Sequence, residues 1–136
     1  MKIEITKSQY KRIIYKLLDT LYGPKISYEW ENDTIAIKSN DGELVFRVYT
    51  KSGRAKGCKK DMYVTSETGE EINDFIPRAA TRKKLFAKTL VSYVNEKTGL
   101  DIDCIEFWTT KTSESGTEYD HKYHFNVKKN KKTSIY

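Results

Sequence analysis

Arg54, Lys56, Lys59 and Lys60 lie in the stretch 51–60, KSGRAKGCKK, which carries two glycines and no acidic residue. Cations interleaved with glycine in a loop between strands can follow a phosphate backbone without reading bases. Tyr49 and Tyr63, on either side, are placed to stack on unpaired bases. An acidic protein surface would be met equally well by the same loop, and so would plain solvent. Arg78, Arg82, Lys83 and Lys84 form a second group, at the start of a predicted helix. Exposed cations at that end oppose the helix dipole, at a cost of roughly 0.3–1 kcal/mol each. Two arrangements would offset this. A bound anion could be held by the free N–H groups and the cations together, or the acids Glu67, Glu70, Glu71 and Asp74 could fold back onto the helix start. These two groups are the candidate site for nucleic acid or another anion.

Other residue sets that could do chemistry are weaker. Asp101 and Asp103 alternate to one face of a predicted strand, with Glu106 nearby but on the other face. Acids beside lysines can hold Mg²⁺ for phosphodiester cleavage, which makes a metal-dependent nuclease the third reading. His121 and His124 are three apart, a spacing that puts them on opposite faces of a strand. Cys58 and Cys104 lack the paired spacing of a zinc site. No phosphate-binding glycine motif, nucleophile elbow or supported Cys/His pair occurs. The expectation is therefore no catalytic residue, no metal and no cofactor.

The elements that must position these residues follow from periodicity and turn chemistry. Thr6 to Pro24 is the best-defined helix. Thr6 and Gln9 suit a capping box, and Ile5 and Tyr10 a hydrophobic staple. Tyr10, Ile13, Ile14, Leu17, Leu18 and Leu21 make an apolar stripe, and Gly23-Pro24 ends the helix. Met1–Ile5 is a short strand or a lead-in. Ile26, Tyr28 and Trp30 alternate as in a half-buried strand, Thr34–Lys38 resumes after a turn at Asn32-Asp33, and Asn40-Asp41-Gly42 leads into Glu43–Lys51 with Leu44, Phe46 and Val48 inward. A mobile loop at 52–60 precedes a fourth strand, Met62–Thr65, and an acidic loop occupies 66–74. A second helix begins between Asp74 and Thr81, with Asp74 as a possible cap and Pro77 in its first turn. It runs to about Thr98 and stops at Gly99, with Ala79, Phe86, Ala87, Leu90, Val91 and Val94 on its apolar side. Strands at Asp101–Lys111 and Glu118–Lys128 form a final hairpin. The order α-β-β-β-β-α-β-β predicts an α+β fold: a mainly antiparallel sheet of about six strands with both helices on one face.

The totals fit this picture. The chain has 136 residues and a net charge of +6, concentrated in 51–60, 78–88 and 128–132. One domain is expected over 1–128, with a basic tail at 129–136. No apolar run of about 18 residues suggests a membrane span, and MKIEIT shows no secretory signal, so a host cytoplasm or virion location with reduced thiols is expected.

The opening ITKSQYKRIIYK resembles the start of many small uncharacterised proteins of tailed bacteriophages, through Ile5, Thr6, Ser8, Gln9, Arg12, Ile13 and Ile14. The resemblance covers about a tenth of the chain and implies a source; it carries no catalytic residue across. The leading functional expectation is a non-enzymatic phage accessory or virion-associated protein that works through protein–protein contacts, with a virion component or a second copy of itself as partner and no membrane. The alternative is a nucleic-acid-binding protein using loop 51–60 and the start of the second helix.

Overall fold

The computed structural model describes residues 6–51, 53–65, 72 and 75–128. The expected strand at Met1–Ile5, the Ile5 half of the staple, all of the acidic loop except Ile72, the Asp74 cap and the tail from Lys129 lie outside them. Helix α1 spans Lys7–Tyr22, and its capping box is formed: Gln9 N donates to Thr6 Oγ1 at 3.1 Å, and Thr6 N to Gln9 Oε1 at 2.9 Å. At Gly23 the chain takes φ 84° and ψ 161°, a conformation open essentially to glycine alone. A Cβ there would also sit 2.3 Å from Asn40 Cβ, where Asn40 N donates to Tyr22 O. Both constraints fix how α1 leaves the core and enters the sheet.

Six strands follow: β1 Ser27–Glu31, β2 Thr34–Lys38, β3 Leu44–Tyr49, β4 Asp61–Val64, β5 Cys104–Thr112 and β6 Glu118–Asn126. They form one sheet in sequential order. β1–β4 form an antiparallel meander: short turns join β1–β2 and β2–β3, with Asn32 at φ 58° in the first and Gly42 at φ 84° in the second, and the longer segment 50–60 joins β3 to β4. Helix α2, Ala80–Thr98, then carries the chain back so that β5 lies parallel to β4, and β6 returns antiparallel. The architecture is α+β with a mixed, mostly antiparallel sheet. A helical crossover is what a parallel neighbour requires.

Both helices cover one face. Leu18 and Tyr22 of α1 and Phe86, Ala87, Leu90, Val91 and Val94 of α2 join Ile35, Ile37, Phe46, Val48, Met62, Val64, Ile105 and Phe107 in one core. Each large apolar side chain buried there contributes roughly 1.5–3 kcal/mol. Tyr15 meets Tyr93 edge-on at 5.2 Å, and Tyr93 Oη donates to Asp19 Oδ1 at 2.8 Å, so the helices also touch each other. Gly99, at φ 75°, ends α2 where the sequence marks it.

Several side chains fall elsewhere than the periodicity suggests. In α1 the buried line runs through Leu18 and Tyr22, with Ile14, Tyr15 and Leu21 beside it, while Ile13 is 54% exposed. The point of contact with α2 selects that face. Ala79 is the exposed N-cap of α2, without a side-chain cap, and Pro77 precedes the helix. A bulge between Ile37 and Lys38 pairs Lys38 with Leu44, leaving Leu44 exposed and Val45 buried. All of β1 is exposed: it is an edge strand that α2 approaches without covering its side chains.

Candidate functional site

The face opposite the helices is where polar residues converge. Strand register lines up Arg47, Tyr63, Glu106 and His124 in one row across β3, β4, β5 and β6. The next row holds Tyr49, Asp61, Cys104 and Asn126, and Trp108 stands opposite Lys122. These are the alternates to Met62, Val64, Ile105 and Phe107, so the same pleat that fills the core presents them together.

Loop 53–60 folds over this face. Cys58 and Cys104 form a disulfide with Cα atoms 5.9 Å apart. Ala55 N donates to Asp61 Oδ2 at 2.9 Å, and Tyr63 Oη donates to Gly53 O. The Asp103 carboxylate accepts from Lys59 N and from Lys60 N, the latter at 2.8 Å. The expectation of a mobile loop with reduced thiols is thus corrected: the return of the chain over the sheet brings Cys58 above Cys104, and local acids tether what lies between.

Asp61 and Glu106 are the buried centre of the site, at 0% and 1% exposure. Their carboxyl oxygens and a ring nitrogen of His124 lie within 4.8 Å of one another. Asp61 Oδ1 and Glu106 Oε2 find no hydrogen-bond donor from another side chain or backbone group among the described residues. Lys122 Nζ stands 3.6 Å from Glu106 Oε1, on the exposed side. His124 Nε2 is 3.3 Å from Cys58 Sγ. Tyr49, Tyr63 and Trp108 form an aromatic wall, with centroids 4.4 Å and 5.8 Å apart. Burial, and after it the neighbouring Glu106 charge, raises the Tyr63 phenol above its ordinary range. Chemically, two facing carboxyls of this kind either hold a proton between them or take up a cation.

Burial first, and then the adjoining Glu106 carboxyl, pushes Asp61 up from 3.8 to about 8. The folded protein keeps a proton that the unfolded chain releases near pH 4, so this group makes stability fall as pH rises between those two values. One proton gives a slope of at most about 1.4 kcal/mol per pH unit. In chelator-treated buffer, urea unfolding is expected to show a loss of about 2–4 kcal/mol between roughly pH 5 and pH 8, and Asp61→Asn is expected to flatten it. An Asp61→Asn profile parallel to that of the parent would refute this.

The cationic residues read from the sequence divide. Arg54 turns inward at its tip, donating from Nε to Lys51 O at 3.1 Å and from Nη1 to Cys58 O. Lys56 and Lys59 are exposed, and Lys60 is half-buried. Arg78, Arg82 and Lys84 project outward at the uncapped start of α2, but Lys83 is buried with Nζ 3.3 Å from the Tyr123 ring centroid. Lys83 is thereby withdrawn from any anion site. Tyr49 and Tyr63 pack on each other rather than standing free for bases. Asp101 and Asp103 do not act together: Asp103 caps loop amides and Asp101 pairs with Lys128.

The acid pair was missed because its members are far apart in the chain and each looks like an ordinary polar alternate. The one local signal is Glu106, which shares a strand face with Cys104 and Trp108. Compared with protein-family models, with curated proteins and with solved structures, the chain matches none.

Proposed function

We propose that this is a non-enzymatic bacteriophage accessory or virion-associated protein that works through protein–protein contacts made at the β1 edge of its sheet. The observation that carries the reading is Tyr28 and Trp30, 43% and 53% exposed, two residues apart on β1, one of the two edge strands of the sheet, whose outer backbone edge has no strand neighbour among the described residues. They share a face with Ile37 and Ile35, their register partners, and α2 approaches this strand without covering either ring. An edge strand offers unpaired backbone groups to a second chain, and exposed Trp and Tyr are the side chains that most often anchor an interface. On the other face of β1, Glu29 pairs with Lys38 at 2.6 Å and Glu31 with Arg47 at 2.6 Å, so this edge carries no excess positive charge to attract a polyanion. The phage-like opening segment supports a phage source. The Cys58–Cys104 bond favours the virion over the host cytoplasm, since disulfides persist in oxidising surroundings.

Native mass spectrometry and co-sedimentation with phage particles test the reading. Association with itself or with a virion component is expected, weakened about 30-fold or more by Tyr28→Ala combined with Trp30→Ala. Because both rings are exposed, the double variant is expected to keep the parent's unfolding midpoint. A strictly monomeric protein that captures no virion component would overturn the proposal.

A second reading, nucleic-acid binding, is favoured by Arg78, Arg82 and Lys84 around the uncapped α2 N-terminus. It predicts gel-shift affinity falling with salt at a log–log slope of several, reduced by about 2 in an Arg82→Ala, Lys84→Ala variant. No binding at low salt would remove it.

A further inference from the structure

We propose that Asp61, Glu106 and His124 form a binding site for one divalent transition cation of the Zn²⁺ or Mn²⁺ class, beneath loop 53–60 on the face of the sheet away from the helices. The site is separate from the β1 edge and stands whether or not that edge binds a partner.

Geometry comes first. The three ligand atoms lie within 4.8 Å of one another. Bonds of about 2.1 Å in tetrahedral geometry place ligand atoms about 3.4 Å apart, so closing around an ion asks for shifts on the order of 1 Å. The donors come from three strands in fixed register, with Glu106 directly opposite His124. Ala55 N already orients Asp61 through Oδ2, which leaves Oδ1 free to turn to an ion.

The second observation is the lack of a donor for the buried oxygens. Among the described residues no other group donates to Asp61 Oδ1 or Glu106 Oε2 although their residues are fully buried, so all the two carboxyls can share is a proton between them, in the place an ion would take. Two acids buried face to face are costly unless something positive lies between them. Lys122 reaches only the outer oxygen of Glu106, and at 50% exposure its ammonium can swing away. His124 is exposed and gives an ion its path in.

The donor set then selects the ion. Two carboxylates and one imidazole suit Zn²⁺ or Mn²⁺, whereas Ca²⁺ and Mg²⁺ take all-oxygen shells. Cys58 and Cys104 also lie near His124, but as a disulfide they offer no thiolate. A loaded site would leave its remaining coordination positions to water.

Calorimetry and thermal melting of chelator-stripped, disulfide-intact protein with ZnCl₂, MnCl₂, MgCl₂ and CaCl₂ test this. One Zn²⁺ or Mn²⁺ per chain is expected, with Mg²⁺ and Ca²⁺ at least about 10-fold weaker. Glu106→Gln is expected to weaken binding by about 100-fold and His124→Ala by about 10–100-fold. His124 is exposed, so His124→Ala decides the matter if the Glu106 variant does not fold. Absence of binding at millimolar Zn²⁺ and Mn²⁺, or unchanged binding by folded His124→Ala, would overturn the proposal. So would binding that appears only after reduction and is lost in Cys58→Ala/Cys104→Ala, which would make the sulfurs the ligands.

Discussion

Phe107→Ala is expected to lower the unfolding free energy by about 3–5 kcal/mol, the usual range for removing a buried phenylalanine. Phe107 is fully buried on β5, with its ring 6.2 Å from Phe86 of α2 and 6.1 Å from Phe125 of β6. The substitution therefore empties the place where the crossover helix, the parallel pair and the last hairpin meet. Against a total stability of about 5–15 kcal/mol, the loss is roughly a fifth or more of what holds the chain folded. The melting temperature should fall by roughly 10–15 °C. Urea unfolding should show a lower midpoint with an unchanged slope. Ile13→Ala is the control: at 54% exposure it should stay within about 0.5 kcal/mol of the parent. Equal effects of the two substitutions would mean that the helices do not pack on the face that carries Phe107.

Cys58→Ala/Cys104→Ala is expected to cost about as much. The bond closes a loop of sequence separation 46, and the chain-entropy model assigns such a cross-link about 4 kcal/mol. Alanine leaves no polar atom in a site where both sulfurs are fully buried. The remaining tethers of loop 53–60 include the Ala55 bond to Asp61, the Tyr63 bond to Gly53 O and the Asp103 bonds to Lys59 and Lys60. Unfolding of the parent with and without reductant, beside the double variant, isolates the effect. Reductant should destabilise the parent by about 2–4 kcal/mol and leave the variant unmoved. A parent indifferent to reductant would show that the two sulfurs are not joined in solution.

Those elements that announce themselves locally were legible in the residues. The Thr6–Gln9 box and Gly23 bracket α1, and Gly99 closes α2, because caps depend on a few neighbouring side chains. The turns at Asn32-Asp33 and Asn40-Asp41-Gly42 fix the β1–β2–β3 pairing, since short reversals leave little choice of partner. What depends on distant packing was not legible. Tyr15 and Tyr22 face the core in place of Ile13 because α2 crosses where it does. The β2–β3 bulge turns Leu44 out, and no local residue marks it. Tyr28 and Trp30 alternate like half-buried residues, yet α2 only approaches β1 and leaves both rings exposed. Lys83 occupies a cation-rich stretch and still lies over Tyr123, because the helix turn that buries Phe86 and Leu90 carries its aliphatic stem inward. The acid pair needed the β4–β5 parallel register, which emerges only once α2 has folded onto the sheet.

The most direct test of where the protein works is amide hydrogen exchange, compared between the free chain and its assembled form. The account predicts added protection at Ser27–Glu31, with little change at 53–60 or around Arg78, Arg82 and Lys84. Protection confined to those basic segments, with β1 exchanging as it does in the free chain, would contradict the claim that the Tyr28–Trp30 edge is the working surface.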